Sequence, residues 1–239
     1  MDAASANTYI IIQARMGSSR LPGKVLKKIN GIPALWYLIK RLQKVPYTKL
    51  FVATSTLAID DQLSDFVDSM DNIYLFRGSH TDLVSRYHQC LASIKNHHPF
   101  DVVIRVCADN FMICPSVVIA SIKLLLANQD LDIINPFLDK SLPFGCGAEV
   151  SRVSIIDQIY YNTRLGPQNF KEHLFFYAYN NPNIFTTSPL RDLRFDDNSK
   201  INISVDTHQD FERIKDWMEC LGVNACLETD VDDIIKWFK

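Results

Sequence analysis

The hydrophobic positions along this chain fall into short apolar runs that alternate with longer amphipathic segments. Short runs rich in isoleucine and valine are typical of buried strands, and apolar residues at helical spacing are typical of helices that cover a sheet. The predicted strands are residues 9–13, 50–55, 72–78, 101–109 and 131–135. The predicted helices are residues 33–44, 58–70, 81–96 and 115–128. This alternation predicts an α/β fold with a mostly parallel sheet and helices on both faces.

The alternation stops at Pro136, and we interpret residues 136–188 as an inserted arm or subdomain. The sequence KINISVD then predicts a returning final strand. From Pro136 onward the predicted elements are helices 152–162 and 170–180, strand 200–206, and helices 207–221 and 228–238. The length of 239 residues suits a single α/β domain, residues 1–239, that carries this insertion.

Composition excludes several classes of function. The net charge is −2 and the pI about 6.3, whereas proteins that bind nucleic acid or membrane surfaces usually carry a basic domain. The six cysteines form no C-x-x-C pair, so we expect no zinc site, and we interpret them as reduced thiols of a cytoplasmic protein. The start of the chain, MDAASANT, has no signal-peptide pattern, and no apolar run is long enough to span a membrane.

A basic, glycine-bearing loop follows the first predicted strand. Within QARMGSSRLPGK, residues 13–24, the cations are Arg15, Arg20 and Lys24, and two glycines and two serines lie between them. Such a loop can turn backbone N–H groups towards an anion, and its cations suit phosphate; the alternative is a solvated surface loop. It is not a P-loop, because Lys24 is followed by Val25, and it lacks the G-x-G-x-x-G spacing.

The longer sequence QARMGSSRLPGKVLKKINGIPAL resembles the signature of cytidylyltransferases that activate acidic or surface-polysaccharide sugars. The similarity is to the spore-coat polysaccharide synthesis type, related to the acylneuraminate and 3-deoxy-manno-octulosonate cytidylyltransferases. Further matches follow in the family's order and cover nearly all of the chain: FVATST, FRGSHTDLVSRY, IRVCADNFMICP, FGCGAEV, KEHLFFYAYNNP and ISVDTHQDFERI. The resemblance implies a Rossmann-like nucleotidyltransferase sheet, similar to glycosyltransferase A, and a homodimer in which the inserted arm contacts the partner.

The activity implied by the resemblance is transfer of CMP from CTP to a sugar, with release of pyrophosphate. A triphosphate carries several negative charges that must be neutralised during transfer. We expect Arg15 and Lys24 to hold the β and γ phosphates, with Lys24 also stabilising the leaving pyrophosphate. In-line attack by the acceptor oxygen needs positioning more than a dedicated base. The attack could be assisted by a metal ion that polarises the acceptor hydroxyl, or by one of the carboxylates Asp206 and Glu149.

Two aspartates end predicted strands at the same edge of the sheet. Asp109 ends the fourth predicted strand and Asp206 the returning one, and the resemblance places the family's metal ligands at these positions. Carboxylates beside a triphosphate suit Mg²⁺, whose remaining ligands come from water and phosphate. The alternative is that each aspartate caps a helix or forms a turn. The predicted cofactor is therefore Mg²⁺.

The resemblance also implies the other site residues. Thr81 and Asp82 could instead be a simple helix cap, and His173 a structural residue. We assign catalytic roles to Arg15, Lys24, Asp109 and Asp206, and acceptor binding to Glu149, Glu172 and His173. Nucleotide binding is assigned to Gln13, Ala14, Arg15, Met16, Gly17, Ser18, Arg20, Lys24, Ala53, Thr54, Arg77, Gly78, Asp82, Arg105 and Ala108.

The sequence departs from the family pattern on the acceptor side. Cys114 and Gly147 stand where the family has acids, and Ser85 replaces the aspartate of an Asp-Arg pair. We expect this to lower the negative charge of the pocket and to change the acceptor, while CTP binding persists. Two alternatives stay open: a nucleotidyltransferase that uses another nucleoside triphosphate on a sugar phosphate, and a non-catalytic relative that only binds nucleotide.

Overall fold

The computed structural model describes residues 6–191 and 200–239. In these residues the strands are β1 Thr8–Gln13, β2 Lys28–Ile29, β3 Ile32–Pro33, β4 Lys49–Ser55, β5 Tyr74–Gly78, β6 Val102–Cys107, β7 Ile133–Ile134, β8 Glu149–Arg152 and β9 Thr187–Ser188. The α-helices are α1 Ala34–Leu42, α2 Asp61–Asp68, α3 Leu83–Ala92, α4 Pro115–Ala127, α5 Val153–Thr163, α6 Asn169–Glu172, α7 Phe176–Tyr179, α8 His208–Leu221, α9 Val223–Glu228 and α10 Val231–Phe238.

Seven strands form one mostly parallel sheet in the order β5-β4-β1-β6-β8-β7-β9. The four strands from β5 to β6 are parallel, whereas β8 runs antiparallel to both β6 and β7. The reversal brings the amino end of β8, at Glu149, beside Arg105 near the carboxyl end of β6. Side chains from β8 therefore meet the loops that follow β1 and β6. Strands β2 and β3 form a separate two-stranded hairpin.

Helices cover both faces of the sheet, as the sequence pattern predicts. Ile10 and Ile12 of β1 are fully buried in a cluster shared with α1, α2 and α4. Tyr9 and Ile11 point to the opposite face, where α3 and α5 cover them. Successive residues of a strand face opposite sides, so this near-continuous apolar run is what a strand covered on both faces requires. A third cluster joins α1 to α8 and α10.

The segment 136–188, predicted to be an inserted arm, contributes β8 and β9 to the central sheet. Leu174, Phe175 and Ala178 of this segment are buried in the cluster that covers one sheet face. The assignment of the segment as a dimer contact stays a prediction, as does the division of the chain into one domain with an insertion.

Three predicted elements near the end of the chain are wrong. Residues 200–206 do not form a sheet strand: they make one bridge, between Phe144 and Asn202, because the chain turns at Gly145. The predicted helix 170–180 is two short helices, since His173 is extended. The last helix begins at Val231, where Asp230 caps it, rather than at residue 228. No helix in the described ranges has the length and apolar character needed to cross a bilayer.

Candidate functional site

A cavity of about 770 Å³ lies at the carboxyl edge of the parallel strands, where α/β proteins bind ligands. Loops that follow β1, β5 and β6 form its walls together with the amino end of β8. The predicted site residues that line it are Gln13, Ala14, Arg15, Ser18, Arg20, Lys24, Arg105, Ala108, Asp109, Glu149, Glu172, His173 and Asp206. The structure therefore brings the basic loop, both aspartates and the predicted acceptor residues to one cavity.

The basic loop is folded around the carbonyl oxygen of Met16. This oxygen accepts hydrogen bonds from the N–H groups of Ser18 and Gly23, both at 2.9 Å. Gly23 has φ +68°, a left-handed conformation that glycine adopts without the steric cost of a Cβ. The chain then enters a short 3₁₀ turn, Lys24–Leu26, which directs Lys24 back under the loop. The sequence thus forms a closed turn rather than a loose surface loop.

Several donors of this loop remain available for a ligand. Four backbone N–H groups of the loop have no acceptor among the described residues: those of Arg15, Gly17, Ser19 and Arg20. The Arg15 and Arg20 side chains are exposed at the cavity. Free N–H groups and guanidinium groups in one turn form an anion-binding site, and their charge-assisted hydrogen bonds suit phosphate oxygens.

Asp60 holds this loop in place. Its buried carboxylate accepts hydrogen bonds from the Met16 N–H at 2.7 Å, from the Ser55 N–H at 3.2 Å and from the Ser55 hydroxyl. Burial raises the pKa of Asp60, but the Ser55 and Met16 hydrogen bonds outweigh it and leave the pKa below its usual value. This role could not be predicted from the sequence, because Asp60 is one of several acids near a predicted helix start.

We expect Asp60→Asn to lower the free energy of unfolding at neutral pH by about 2–3 kcal/mol, the value of hydrogen bonds to a charged group. Since the folded pKa of Asp60 is depressed, its carboxylate stabilises the fold above the unfolded pKa and loses this contribution as the pH falls through the folded pKa. The difference between wild type and variant in urea unfolding should therefore shrink in acid. Asp65→Asn, at an exposed acid of α2, is the control; a pH-independent difference would contradict the prediction.

Lys24 joins the two predicted metal ligands. Its Nζ lies 2.9 Å from Oδ2 of Asp109 and 3.2 Å from Oδ1 of Asp206, and it also donates to the Val205 carbonyl oxygen at 2.7 Å. The Arg20 guanidinium contacts the same Asp206 oxygen at 2.9 Å. Although residues 200–206 form no strand, the chain still delivers Asp206 to Asp109, because the Val205 N–H bonds to the Asp109 carbonyl at 3.0 Å.

The two carboxylates fit a divalent cation that takes its other ligands from phosphate and water. Asp109 and Asp206 both contact a single ammonium group, so one cation can be shared between them. Their side chains are 25% and 37% exposed, which leaves coordination positions open to the cavity. In the described ranges no group of three or more His, Cys, Asp or Glu side chains is arranged for a metal. Such a site suits Mg²⁺, which keeps several non-protein ligands.

A second polar cluster surrounds Glu149, which lines the same cavity. Arg105 pairs with Glu149 and donates through Nε to Gln13 at 3.0 Å. Tyr179 donates its hydroxyl to Glu149 and accepts from Asn135 at 3.0 Å. Burial would lower the pKa of Arg105, but the surrounding groups, Glu149 among them, raise it overall, while burial and Glu149 together raise that of Tyr179. Glu149 is therefore engaged as a hydrogen-bond acceptor whose charge is balanced by Arg105.

Seven predicted nucleotide-binding residues lie outside the cavity lining: Met16, Gly17, Ala53, Thr54, Arg77, Gly78 and Asp82. Arg77 donates to the carbonyls of Ser55 and Leu57 and pairs with Asp61 at 2.7 Å, which anchors the loop after β4. Asp82 caps α3 by accepting from the Ser85 N–H at 2.8 Å, the alternative that the sequence left open. Contacts of these residues with a nucleotide stay predictions.

The departures from the family pattern have different structural settings. Cys114 is fully buried and does not line the cavity, so an acid lost at this position changes no charge there. This differs from the expectation that both losses alter the pocket. Gly147 does line the cavity, but a Cβ there would lie 2.9 Å from Pro136 and Val117 side-chain carbons. An aspartate at position 147 would therefore require Pro136 and Val117 to shift.

Other residues at the cavity were not identified from the sequence as site residues. Asn135 lines the cavity and donates to Glu149, and His80 lines the wall beside Arg86. Tyr179 lines a smaller adjoining pocket and also donates to Glu149. Cys107 also faces the cavity, but burial raises the pKa of its thiol to about 12, so it is a poor nucleophile at neutral pH. Arg86, which lies within the family match FRGSHTDLVSRY, donates to the Ser79 and His80 carbonyls.

The sheet order and the basic loop at its carboxyl edge define an α/β protein of the nucleotidyltransferase class. A family model described as Cytidylyltransferase matches residues 9–227. The chain therefore belongs to the cytidylyltransferase family, which confirms the resemblance seen in the sequence.

Relatives and solved structures agree with this assignment. The chain is 30% identical over 210 residues to the spore coat polysaccharide biosynthesis protein SpsF of Bacillus subtilis, covering 86% of this chain and 83% of that protein. It is 30% identical over 119 residues to the 3-deoxy-manno-octulosonate cytidylyltransferase of Mesorhizobium japonicum, covering 49% of this chain and 47% of that one. The structure of a cytidylyltransferase from Leptospira borgpetersenii superposes with a TM-score of 0.87 at 25% identity, covering 98% and 94% of the two chains.

Proposed function

We propose that this protein is a Mg²⁺-dependent cytidylyltransferase that transfers CMP from CTP to a sugar, releasing pyrophosphate. The observation that carries the proposal is the basic loop: two exposed arginines and three of its four residues with free N–H groups line the same cavity as the two aspartates. The family match and the relatives that act in surface-glycan synthesis support cytidine as the nucleoside and a sugar of an acidic or surface-polysaccharide type as the acceptor.

Different residues of the cavity bind the nucleotide and the acceptor. The loop N–H groups, Arg15 and Arg20 hold the triphosphate and neutralise the pyrophosphate as it leaves. Asp109 and Asp206 would hold Mg²⁺, which when bound neutralises phosphate charge. The Glu149 cluster orients the acceptor so that its hydroxyl oxygen attacks the α-phosphorus in line, and the bond to the β-phosphate breaks. Tyr179 and Asn135 keep Glu149 in position for this.

Pyrophosphate release with each of CTP, UTP, GTP and ATP tests the proposal. Each is supplied with Mg²⁺ and a panel of sugars that includes 3-deoxy-manno-octulosonate, and mass spectrometry identifies the product. We expect release with CTP and formation of a CMP-linked sugar. Equal or greater release with another nucleotide on a sugar phosphate would favour the first alternative. If CTP and Mg²⁺ raise the melting temperature, no acceptor is turned over and Lys24→Ala abolishes only binding, the non-catalytic alternative is correct.

We expect Tyr179→Phe to raise the KM for the acceptor about tenfold while the KM for CTP stays unchanged, because a lost hydrogen bond to a charged group is worth about 1.5–3 kcal/mol. The phenyl ring keeps the packing but leaves this Glu149 oxygen with only the longer hydrogen bond from Asn135, at 3.5 Å. Tyr177→Phe, on the same short helix, is the control. Steady-state kinetics with each substrate varied in turn would show the effect. An equal rise in both KM values would contradict the role in acceptor binding.

We also propose that the protein is a cytoplasmic homodimer. The six cysteines are unpaired in the structure, in keeping with a reducing compartment. Large apolar side chains of the segment 136–188 are exposed, among them Leu165 at 93% and Tyr161 at 58%. We infer that these side chains form one apolar patch, and exposed apolar patches are typical of interfaces.

We expect light scattering to give the mass of a dimer, and the double variant Tyr161→Asp, Leu165→Asp to give that of a monomer, because two buried charges without partners oppose association. The control is Phe100→Asp, a change at an exposed aromatic residue outside this segment. A dimer that persists in the double variant would contradict an interface formed by this patch.

A further inference from the structure

Lys24 uses all of its hydrogen-bonding capacity within the protein. An ammonium group has three donors, and those of Lys24 are directed at Asp109, Asp206 and the Val205 carbonyl, at 2.7 to 3.2 Å. Its side chain is only 11% exposed. In this arrangement no donor is left for a phosphate oxygen, although the sequence predicts a phosphate contact for this residue.

The ammonium lies between the two acids that would hold a metal ion. It contacts one oxygen of each aspartate, at 2.9 and 3.2 Å, and a Mg²⁺ ion held by both acids would take carboxylate oxygens at about 2.0–2.1 Å. Arg20 already shares the Asp206 oxygen with Lys24, so a divalent ion beside them would add a third positive charge in a partly buried setting, where like charges repel each other. The lysine contacts and a metal held between both aspartates therefore compete with each other.

The backbone holds the base of the Lys24 side chain close both to the two aspartates and to the basic loop after β1. Gly23, with its left-handed φ, and the buried Val25 on either side fix the stem of Lys24 between the phosphate-binding loop and the aspartates. The flexible four-carbon chain carries the ammonium at its end. Rotation about its side-chain bonds can move the ammonium towards the cavity, where the loop N–H groups and Arg15 lie, while the backbone stays in place.

We propose that Lys24 occupies the cation position between Asp109 and Asp206 until the metal and nucleotide bind together, and that they displace its ammonium onto the phosphates. This rests on the proposed function. Before binding, the lysine keeps the two acids together and charge-balanced. When the metal and nucleotide bind, the metal takes the place of the ammonium between the two carboxylates, and the ammonium contacts phosphate oxygens instead. The metal therefore binds weakly without nucleotide, and Lys24 couples the two binding events.

Electron paramagnetic resonance of Mn²⁺ measures this coupling directly. In wild type we expect weak Mn²⁺ binding alone and much tighter binding with CTP. In Lys24→Met and Lys24→Gln the competing charge is gone, so binding of Mn²⁺ alone should tighten about tenfold, and the gain from CTP should shrink. Mn²⁺ alone should also raise the melting temperature of both variants more than that of wild type, because it relieves the repulsion between the acids. The glutamine variant retains hydrogen-bonding groups if methionine impairs folding.

Two controls separate the lysine from general charge effects. Lys28→Met removes an exposed cation of the neighbouring hairpin and should leave Mn²⁺ affinity unchanged. Arg20→Met removes the more exposed cation on Asp206 and should have a smaller effect than the Lys24 changes. If both Lys24 variants bind Mn²⁺ alone no tighter than wild type, the inference is wrong while the proposed function stands. Failure of wild type to bind Mn²⁺ even with CTP would overturn the proposed function and the inference with it.

Discussion

Asp109→Asn is expected to lower kcat for CMP transfer by about 10²–10³, the usual cost of losing one electrostatic group that stabilises a transition state. Asparagine keeps the size of the side chain and can still accept the hydrogen bond from Lys24. It removes the negative charge that a divalent cation needs. Because the change keeps the packing of a partly exposed residue, the fold should be unaffected, and CTP should bind more weakly only in the presence of the metal.

Single-turnover and steady-state kinetics at saturating CTP check this effect. Asp206→Asn should cause a loss of similar size, and the double variant should be little worse than either single variant, because the two acids act as one unit. Asp130→Asn, at an exposed acid in a loop far along the sequence from both, is the control. A kcat for Asp109→Asn within about twofold of wild type would show that this carboxylate does not hold the metal.

Arg41→Met is expected to lower the free energy of unfolding by about 3–5 kcal/mol, a loss typical of breaking a buried charged network. The Arg41 side chain is fully buried. It donates to the carbonyl oxygens of Ile113 and Thr229, both at 2.6 Å, and to that of Cys226. Burial lowers the pKa of Arg41, but a guanidinium remains charged in proteins. Methionine fills similar space and leaves three carbonyls without donors.

This arginine also links stability to the site. Ile113 lies on the segment that leads from Asp109 to α4, and Cys226 and Thr229 lie at the end of α9 and just beyond it. Arg41 therefore fixes the chain that carries a metal ligand against the C-terminal helices. Urea unfolding followed by circular dichroism measures the loss, with Lys123→Met on the surface of α4 as the control. A loss below about 1 kcal/mol would mean that water replaces the arginine donors.

The parallel half of the sheet could be predicted from the sequence because each buried strand is a continuous apolar run followed by an amphipathic helix. Tyr9 to Ile12 are buried on both faces, and a short continuous apolar run is typical of a strand that helices cover on both sides. The chemistry of the loop after β1 was equally visible, because cations, glycines and serines are concentrated there. Both features are local in sequence, and local patterns are what a single sequence reports well.

The other half of the fold depends on contacts between distant segments. The strand β8 has only four residues, and its antiparallel place between β6 and β7 is set by packing rather than by its own pattern. Residues 200–206 have a strand-like sequence but make only the single bridge with Phe144, because the chain opposite turns at Gly145. Whether such segments form strands depends on their burial and on the neighbouring segments, so strand propensity alone does not predict it.

The candidate site likewise contains residues that could be predicted from the sequence and residues that could not. Lys24, Asp109 and Asp206 were found because charged residues beside predicted strand ends are conspicuous, yet the ion pairs that join them span more than eighty residues of sequence. Asp60 and Tyr179 were missed because their function comes from the groups they hold, Met16 and Glu149, not from a motif. Arg77 was assigned to the ligand, whereas the structure gives it carbonyl partners in the neighbouring loop.

A crystal structure with CTP and Mg²⁺ tests the central claim most directly. We expect phosphate oxygens on the free N–H groups of Gly17, Ser19 and Arg20, the metal shared by Asp109 and Asp206, and the Lys24 ammonium on the phosphates. A nucleotide bound elsewhere, with the loop unliganded and Lys24 still between the two aspartates, would contradict the account.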